Sequence, residues 1–368
     1  MGIPIRRQQI RQPDAATVAL LAVGLLLALA AGPAAYWAVG NWRTGSTPPV
    51  VTLSPLPNPL ETPKASPSPA PTPTPVSVVA GLQGKIAISS GQPGSGGWIR
   101  FPGGNFVADP KSNVTLPGGG WAYGLAWNAA TNSWVPVNWY MVRQDGQIYA
   151  FQTWSNTSAT VEVVRRNGTS YLLGTLPAGS YAYSVLSAEP EGVYVANLQG
   201  QGGLWLLDYK GGVHLVTATG FWQLAAFGYA YGTVTPFVPQ GATNVIRRLD
   251  LKTHQVADWF SRPGLQSRVV GTTITGTAII EASNTTTAEV WLGTQTPKLL
   301  HRETLSKDRQ IPSGYGFQPQ PSTYVYTALG DEVGIWVATT AGLYLWTDRA
   351  GWEFASATTG QLASTLQK

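Results

Sequence analysis

The chain has 368 residues, 43% of them apolar, enough to bury a sizeable core, yet only 11% are charged against roughly 25% in an average soluble domain. Glycine (42) and proline (28) are abundant, which argues against a helical enzyme, and the absence of cysteine excludes a disulfide scaffold, a Cys-ligated metal, a thiol nucleophile and a lipid-modified cysteine anchor. The net charge of +5 is concentrated at the front: residues 1–43 carry +3, residues 44–75 balance, and residues 76–368 hold 18 basic against 16 acidic side chains, so no phosphate-tracking face and no nucleic-acid partner is expected.

Residues 1–14 form a short basic stub with Arg6, Arg7 and Arg11. Residues 15–42 predict one transmembrane helix: no charge interrupts Ala15 to Gly40, the run is rich in Leu, Ala and Val, and Tyr36, Trp37 and Trp42 stand where an interfacial aromatic belt belongs. Three arginines before the helix and one after it, Arg43, put the N-terminus in the cytoplasm and the rest of the chain outside, in a single-pass cell-membrane protein. A cleaved signal peptide is the competing reading; the apolar stretch continuing past Ala35 to Val39 argues for an uncleaved anchor. Residues 43–76 then read as a semi-rigid linker, because eleven of the 28 residues from Pro48 to Pro75 are proline, which fixes φ and removes amide donors.

From residue 77 to 368 short β-branched and aromatic runs alternate with Gly, Asn and Pro, and no long amphipathic helix interrupts them. Two stretches, Glu191 to Val216 and Val333 to Phe354, share one grammar of strand, short turn, strand, Asp-containing turn, strand. Weaker copies begin near Gly146, Phe227 and Gly276, with degenerate candidates at Lys85 to Phe101 and Gly120 to Val137. No such unit can bury its own apolar faces, so the repeat predicts an all-β propeller of six or seven blades over 77–368. The run Val76 to Ala80 is expected to supply the outer strand that closes the ring, and Asp208, Asp250 and Asp348 are expected to serve as turn residues.

The segment Gly334-Ile-Trp-Val-Ala-Thr-Thr-Ala-Gly-Leu-Tyr-Leu-Trp-Thr-Asp348 resembles the short repeat of regulator-type propellers of sensor ectodomains, and more loosely TolB-like and sialidase-type propellers. The resemblance implies the fold. The coiled segment and the kinase or transcription domain of the sensor family are expected to be absent, and the sialidase Asp-box order is disturbed around Asp348 and Trp352.

Among chemistry-bearing residues, His214, His254 and His301 are scattered over different repeats without ligand spacing, so no metal and no cofactor is expected, nor does any motif mark a catalytic residue. Aromatic residues are the notable excess. Trp98, Trp121, Trp127, Trp134, Trp139 and Trp154, with Tyr123, Tyr140 and Phe151, crowd into 57 residues. Either they wedge between blades or some of them form a binding face, for which Trp121, Trp127, Trp134 and Trp139 are the candidates. A second candidate is the connection from Arg302 to Ser322, where Arg302 and Arg309 stand in a charge-poor domain. The reading is a membrane-anchored binding or scaffolding module for an envelope protein or glycan. A glycan-acting hydrolase or lyase would need carboxylates converging on one rim, and a sensor ectodomain would need a partner membrane protein.

Overall fold

A computed structural model describes residues 77–120, 122–154, 158–176, 183–235, 243–305 and 324–368. The expected stub, membrane span and linker lie outside the described residues, among which no helix is long and apolar enough to cross a membrane. What is described is all β. Its strands are β1 (Gly84–Ser89), β2 (Gly97–Phe101), β3 (Asn105–Ala108), β4 (Ala126–Asn128), β5 (Ser133–Val135), β6 (Ile148–Trp154), β7 (Ala159–Arg165) and β8 (Ser170–Leu176). They continue as β9 (Tyr183–Glu189), β10 (Gly192–Asn197), β11 (Leu204–Asp208), β12 (Val213–Thr217), β13 (Phe221–Ala226), β14 (Tyr229–Thr233), β15 (Val245–Asp250), β16 (Val256–Ser261) and β17 (Gln266–Thr272). The last are β18 (Ala278–Ser283), β19 (Thr287–Gly293), β20 (Lys298–Thr304), β21 (Val325–Gly330), β22 (Ile335–Thr339), β23 (Gly342–Thr347), β24 (Gly351–Ser356) and β25 (Gln361–Gln367).

Four antiparallel meanders, β9–β12, β13–β16, β17–β20 and β21–β24, repeat the same four-strand unit. The last two merge into one eight-stranded sheet because their first strands touch in parallel, Gly271 opposite Ala328 and Thr272 opposite Leu329. A Cβ at position 271 would overlap the Ala328 carbonyl, so this approach requires glycine. Strands β6–β8 make a three-stranded sheet, β4–β5 a two-stranded one, and β25-β1-β2-β3 a four-stranded one.

Side-chain packing arranges these sheets in a circle. One buried cluster joins Tyr194 and Leu204 to Ala230 and Leu249, a second joins Tyr231 and Ile246 to Ile280, and a third joins Val290 to Val325 and Val337. A fourth links Trp336 and Leu345 to Ile86 and Ile99, a fifth links Ala87 and Trp98 to Trp134, and a sixth runs from Val135 through Val161 to Val193. Each sheet is therefore covered on both faces by its neighbours, as in a propeller. That coverage explains the near-continuous apolar runs of β10, β18 and β22, and the exposure of β3 on the outer edge.

The ring closes differently from the sequence expectation. Of the run 76–80, Val76 lies outside the described residues, and Val79–Gly81 forms a 3-10 turn instead of a strand; the Val78 amide is held by the Glu353 carboxylate at 3.0 Å. The closing strand is C-terminal. β25 pairs antiparallel with β1, Ile86 opposite Leu366 and Ile88 opposite Leu362, while Ser364 Oγ accepts from the Ala87 amide at the bulge between these pairs. The physical reason is room at the axis: Leu362, Ala363 and Ser364 are buried, and small residues let β25 sit innermost. The Leu362 and Leu366 amides then donate to Thr327 Oγ1 (2.7 Å) and Asp331 Oδ2 (3.1 Å), fastening β25 to the preceding sheet.

Deleting residues 361–368 should therefore abolish the single cooperative unfolding transition, and Leu362→Ala, at a fully buried position, should cost about 2–5 kcal/mol in urea denaturation. Unchanged unfolding of the deletion would show that the ring closes by another contact.

Candidate functional site

A cavity of about 400 Å³ opens on the axis of the wheel, where the innermost strands end. Glu189 ends β9, Ala226 ends β13, Thr272 ends β17 and Gly330 ends β21; all four line it, together with β4 and the middle of β25. Trp139, Tyr140 and Phe227 supply aromatic surface. Trp139 and Tyr140 meet edge to face at 5.6 Å, and Asn138 Nδ2 donates to the Tyr140 hydroxyl at 2.9 Å, while burial pushes the Tyr140 phenol up.

Phe227 is the unusual member. It and Gly228 form the two-residue turn between β13 and β14, a geometry that requires positive φ at both positions and favours Asn-Gly. Phe227 adopts φ 53°, a conformation costly for an aromatic residue, and its side chain remains 42% exposed while one edge rests over Gly276. Strain of this kind concentrates where a side chain is presented for use.

Three carboxylates and one cation lie on the wall. Arg143 grips Asp145 with both ends of its fork, Nε to Oδ1 at 2.8 Å and Nη2 to Oδ2 at 2.7 Å, which holds the Asp145 carboxyl below its ordinary range. Asp331 is occupied structurally: Oδ1 accepts from the Val333 and Gly334 amides, and Oδ2 from Trp336 Nε1 at 2.8 Å and the Leu366 amide. Glu189 makes no ion pair among the described residues; burial first, and the neighbouring Glu191 second, push its carboxyl up to about 7. Glu191 itself accepts from the Tyr194 hydroxyl at 2.9 Å. Among the described residues no group of three or more His, Asp or Glu is placed to hold a metal ion.

The tryptophans proposed from sequence divide. Trp139 and Trp127 reach the cavity wall. Trp134 is buried in a cluster with Trp98 and Trp127, ring centroids 4.6–5.9 Å apart, and the Trp98 and Trp134 indoles both donate to Asp109 Oδ2, at 3.1 and 2.9 Å. Although burial opposes its charge, these indoles and the Lys111 amide hold the Asp109 carboxyl below the usual carboxylate range. Lys85 Nζ caps the cluster 3.9 Å from the Trp98 ring. Trp121 and Arg309 lie outside the described residues.

Arg302 stands in β20, not in a loop. It and Arg262 both pair with the buried Glu289, at 2.8 and 2.7 Å. Asp208 and Asp250 do serve as turn residues, accepting from the amides of Lys210 and Gly212 and of Lys252 and Thr253. Asp348 also stands in a turn, between β23 and β24, where its carboxylate reaches across to Lys298 at 2.7 Å and Thr347 Oγ1 accepts from the Ala350 amide. Glu189 and Phe227 were not singled out by sequence. The only available signals were an acid closing an apolar run and a bulky residue beside glycine.

No protein-family model matches the chain, and no curated protein matches it in sequence. Among solved structures, acylaminoacyl peptidase from Pyrococcus horikoshii is similar over 57% of this chain and 44% of its own, with 11% identity and a TM-score of 0.33. TolB from Acinetobacter baumannii is similar over 73% and 65%, with 13% identity and a TM-score of 0.37. A putative 6-phosphogluconolactonase from Bacteroides fragilis is similar over 80% and 98%, with 11% identity and a TM-score of 0.42. The chain spans less than two thirds of the first two. The propeller assignment rests on strand order and the ring of packed sheets.

The raised Glu189 carboxyl carries a stability signature. Folding favours its protonated form, so the contribution is intact below the ordinary carboxylate range and is lost as pH rises through about 7. Glu189→Gln should thus be more stable than the wild type at pH 8, by on the order of 1–3 kcal/mol given partial exposure, with the gain shrinking toward pH 4.5. Urea midpoints across that range check it; a gain independent of pH would contradict it.

Proposed function

We propose that the chain is a single-pass membrane protein, held by residues 15–42 with its N-terminus in the cytoplasm, that presents residues 77–368 outside the membrane as a non-enzymatic binding or scaffolding module for an envelope protein or glycan. The seven sheet units among the described residues count as seven blades, two of them incomplete. The observation that carries the binding half is the axial cavity, ringed by strand ends and holding Trp139, Tyr140 and a strained, exposed Phe227. Hydrolysis on a two-carboxylate plan is disfavoured, because Asp145 is paired and Asp331 accepts four hydrogen bonds, leaving Glu189 alone on that wall.

Two experiments test this. Full-length protein immobilised in detergent should retain a component of solubilised envelope unchanged in mass, and Tyr140→Ala and Phe227→Asn should each lower retention about tenfold or more. Phe227→Asn should at the same time gain about 0.5–1 kcal/mol of stability, because asparagine tolerates the turn's positive φ. Conversion of the retained component to product, or retention indifferent to both substitutions, would overturn the reading. For topology, external protease on intact cells should digest the C-terminal domain and spare a tag on the N-terminus; the opposite pattern would reject the orientation.

A further inference from the structure

We infer that Asn167 is a site of spontaneous deamidation, in which the backbone nitrogen of Gly168 displaces ammonia from the Asn167 carboxamide and water opens the resulting succinimide to aspartate or isoaspartate. This chemistry needs neither the axial cavity nor the binding reading above. Its bonds balance with water as the one co-reactant. The Gly168 amide gives up its proton and forms a bond to Asn167 Cγ, the Cγ–Nδ2 bond breaks, and the side-chain nitrogen leaves as ammonia with that proton. Water then adds to either ring carbonyl and cleaves its bond to nitrogen.

Sequence and exposure bring the reactants together. Asn167-Gly168 is the only Asn-Gly pair in the 368 residues. It lies in the turn between β7 and β8, where residues 165–170 are all exposed. Gly168 adopts φ 83°, and a Cβ there would meet nothing within 4 Å, so the nucleophile carries no side chain to shield it and stands open to water. Asn167 Oδ1 accepts from the Thr169 amide at 3.0 Å and from Thr169 Oγ1 at 2.7 Å. Those donors point at the oxygen on which negative charge develops as Cγ is attacked. Arg165 and Arg166, just before Asn167, favour the deprotonated amide, which is the attacking form.

A second turn supplies the contrast. Arg143-Gln144-Asp145-Gly146-Gln147 shares two hydrogen bonds with Arg165-Arg166-Asn167-Gly168-Thr169. In each the glycine amide donates to the arginine carbonyl, at 2.7 and 2.8 Å, and Oδ1 accepts from the amide two residues on, at 3.0 Å in both. The two turns are neighbours, since the Arg166 amide donates to the Gln147 carbonyl at 2.8 Å. Their side chains differ in reactivity. The Asp145 carboxyl is forked by Arg143 and held below its ordinary range, and a carboxylate offers no leaving group, so the same ring closure is blocked there. The Asn167 carboxamide is neutral and can release ammonia. An aspartate product stands two residues after Arg165, as Asp145 stands two residues after Arg143. What restrains Asn167 is the bond from the Gly168 amide to the Arg165 carbonyl, which must open before the nitrogen can turn onto Cγ; exposed hairpin ends open at small cost.

The test incubates the full chain in detergent at pH 8 in heavy-oxygen water, beside the free peptide Val164–Leu172, and follows both by intact mass and peptide mapping. Asn167 should convert at a rate within about a hundredfold of the free peptide, gain about 1 Da plus the label of one heavy oxygen, and yield isoaspartate at position 167 with none at Asp145. Asn167→Gln should slow conversion in that segment at least tenfold, and Asn167→Asp should elute with the aspartate product on mapping. Conversion at Asn167 more than about a hundredfold slower than in the free peptide, isoaspartate forming equally at Asp145, or an undiminished mass gain in Asn167→Gln would overturn the inference.

Discussion

The antiparallel pairing of β25 with β1 is the contact on which the rest of the molecule depends. Every four-stranded unit has two apolar faces and can hide neither alone, so each relies on the sheet to either side. In an open row the first and last sheets would each leave a face in water. Joining the chain's last strand to its first described one removes both ends at once, and the cluster of Ala87, Trp98, Trp134 and Ala363 is what that closure buries. The side chains of Thr327 and Asp331 reinforce it by accepting from β25 amides that face away from β1.

Closure also makes the cavity. Because the innermost strands run alongside one another round the axis, their ends converge, and residues far apart in sequence, from Ala126 to Gln367, come to one wall. Convergence has an electrostatic consequence. Acids that terminate strands are normally dispersed in solvent; here Glu189 and Asp331 line one confined volume, Asp331 held by amide and indole donors and Glu189 pushed up by burial and its neighbour Glu191 against the Ser187 hydroxyl and the Phe227 amide that hydrogen-bond to it. The turn at Phe227-Gly228 fits the same pattern. Its backbone would be more comfortable with asparagine, yet the ring it carries rests over Gly276 and leaves the residue 42% exposed on the cavity wall.

Much of the wheel was legible in the sequence, but unevenly. The second and third strands of the units, such as Val193 to Ala196, Leu204 to Leu207 and Ile335 to Ala338, announce themselves as apolar runs because both of their faces are covered. The innermost strands do not. β9 and β25 read Tyr-Ser-Val-Leu-Ser-Ala-Glu and Gln-Leu-Ala-Ser-Thr-Leu-Gln, because crowding at the axis favours small residues and the channel tolerates polar ones. Without those strands the closure could only be guessed, and it was assigned to the wrong end of the chain. The site suffered from the same blindness, since Glu189 and Asp331 sit at or just past the ends of inner strands. Composition alone singled out Trp127 and Trp139, which line the cavity, but could not separate them from Trp134, whose indole is spent on Asp109.

Native-state amide hydrogen exchange on the full chain tests ring closure most directly. If β25 and β1 complete the wheel, the amides that face across the pairing, Lys85, Ala87 and Ser89 of β1 with Gln361 and Gln367 of β25, exchange only with the slowest, global opening, together with those of β10 and β22. Rapid exchange of the β25 amides while β10 and β22 stay protected would mean that the wheel is open, and the axial site built on its closure would fall with it.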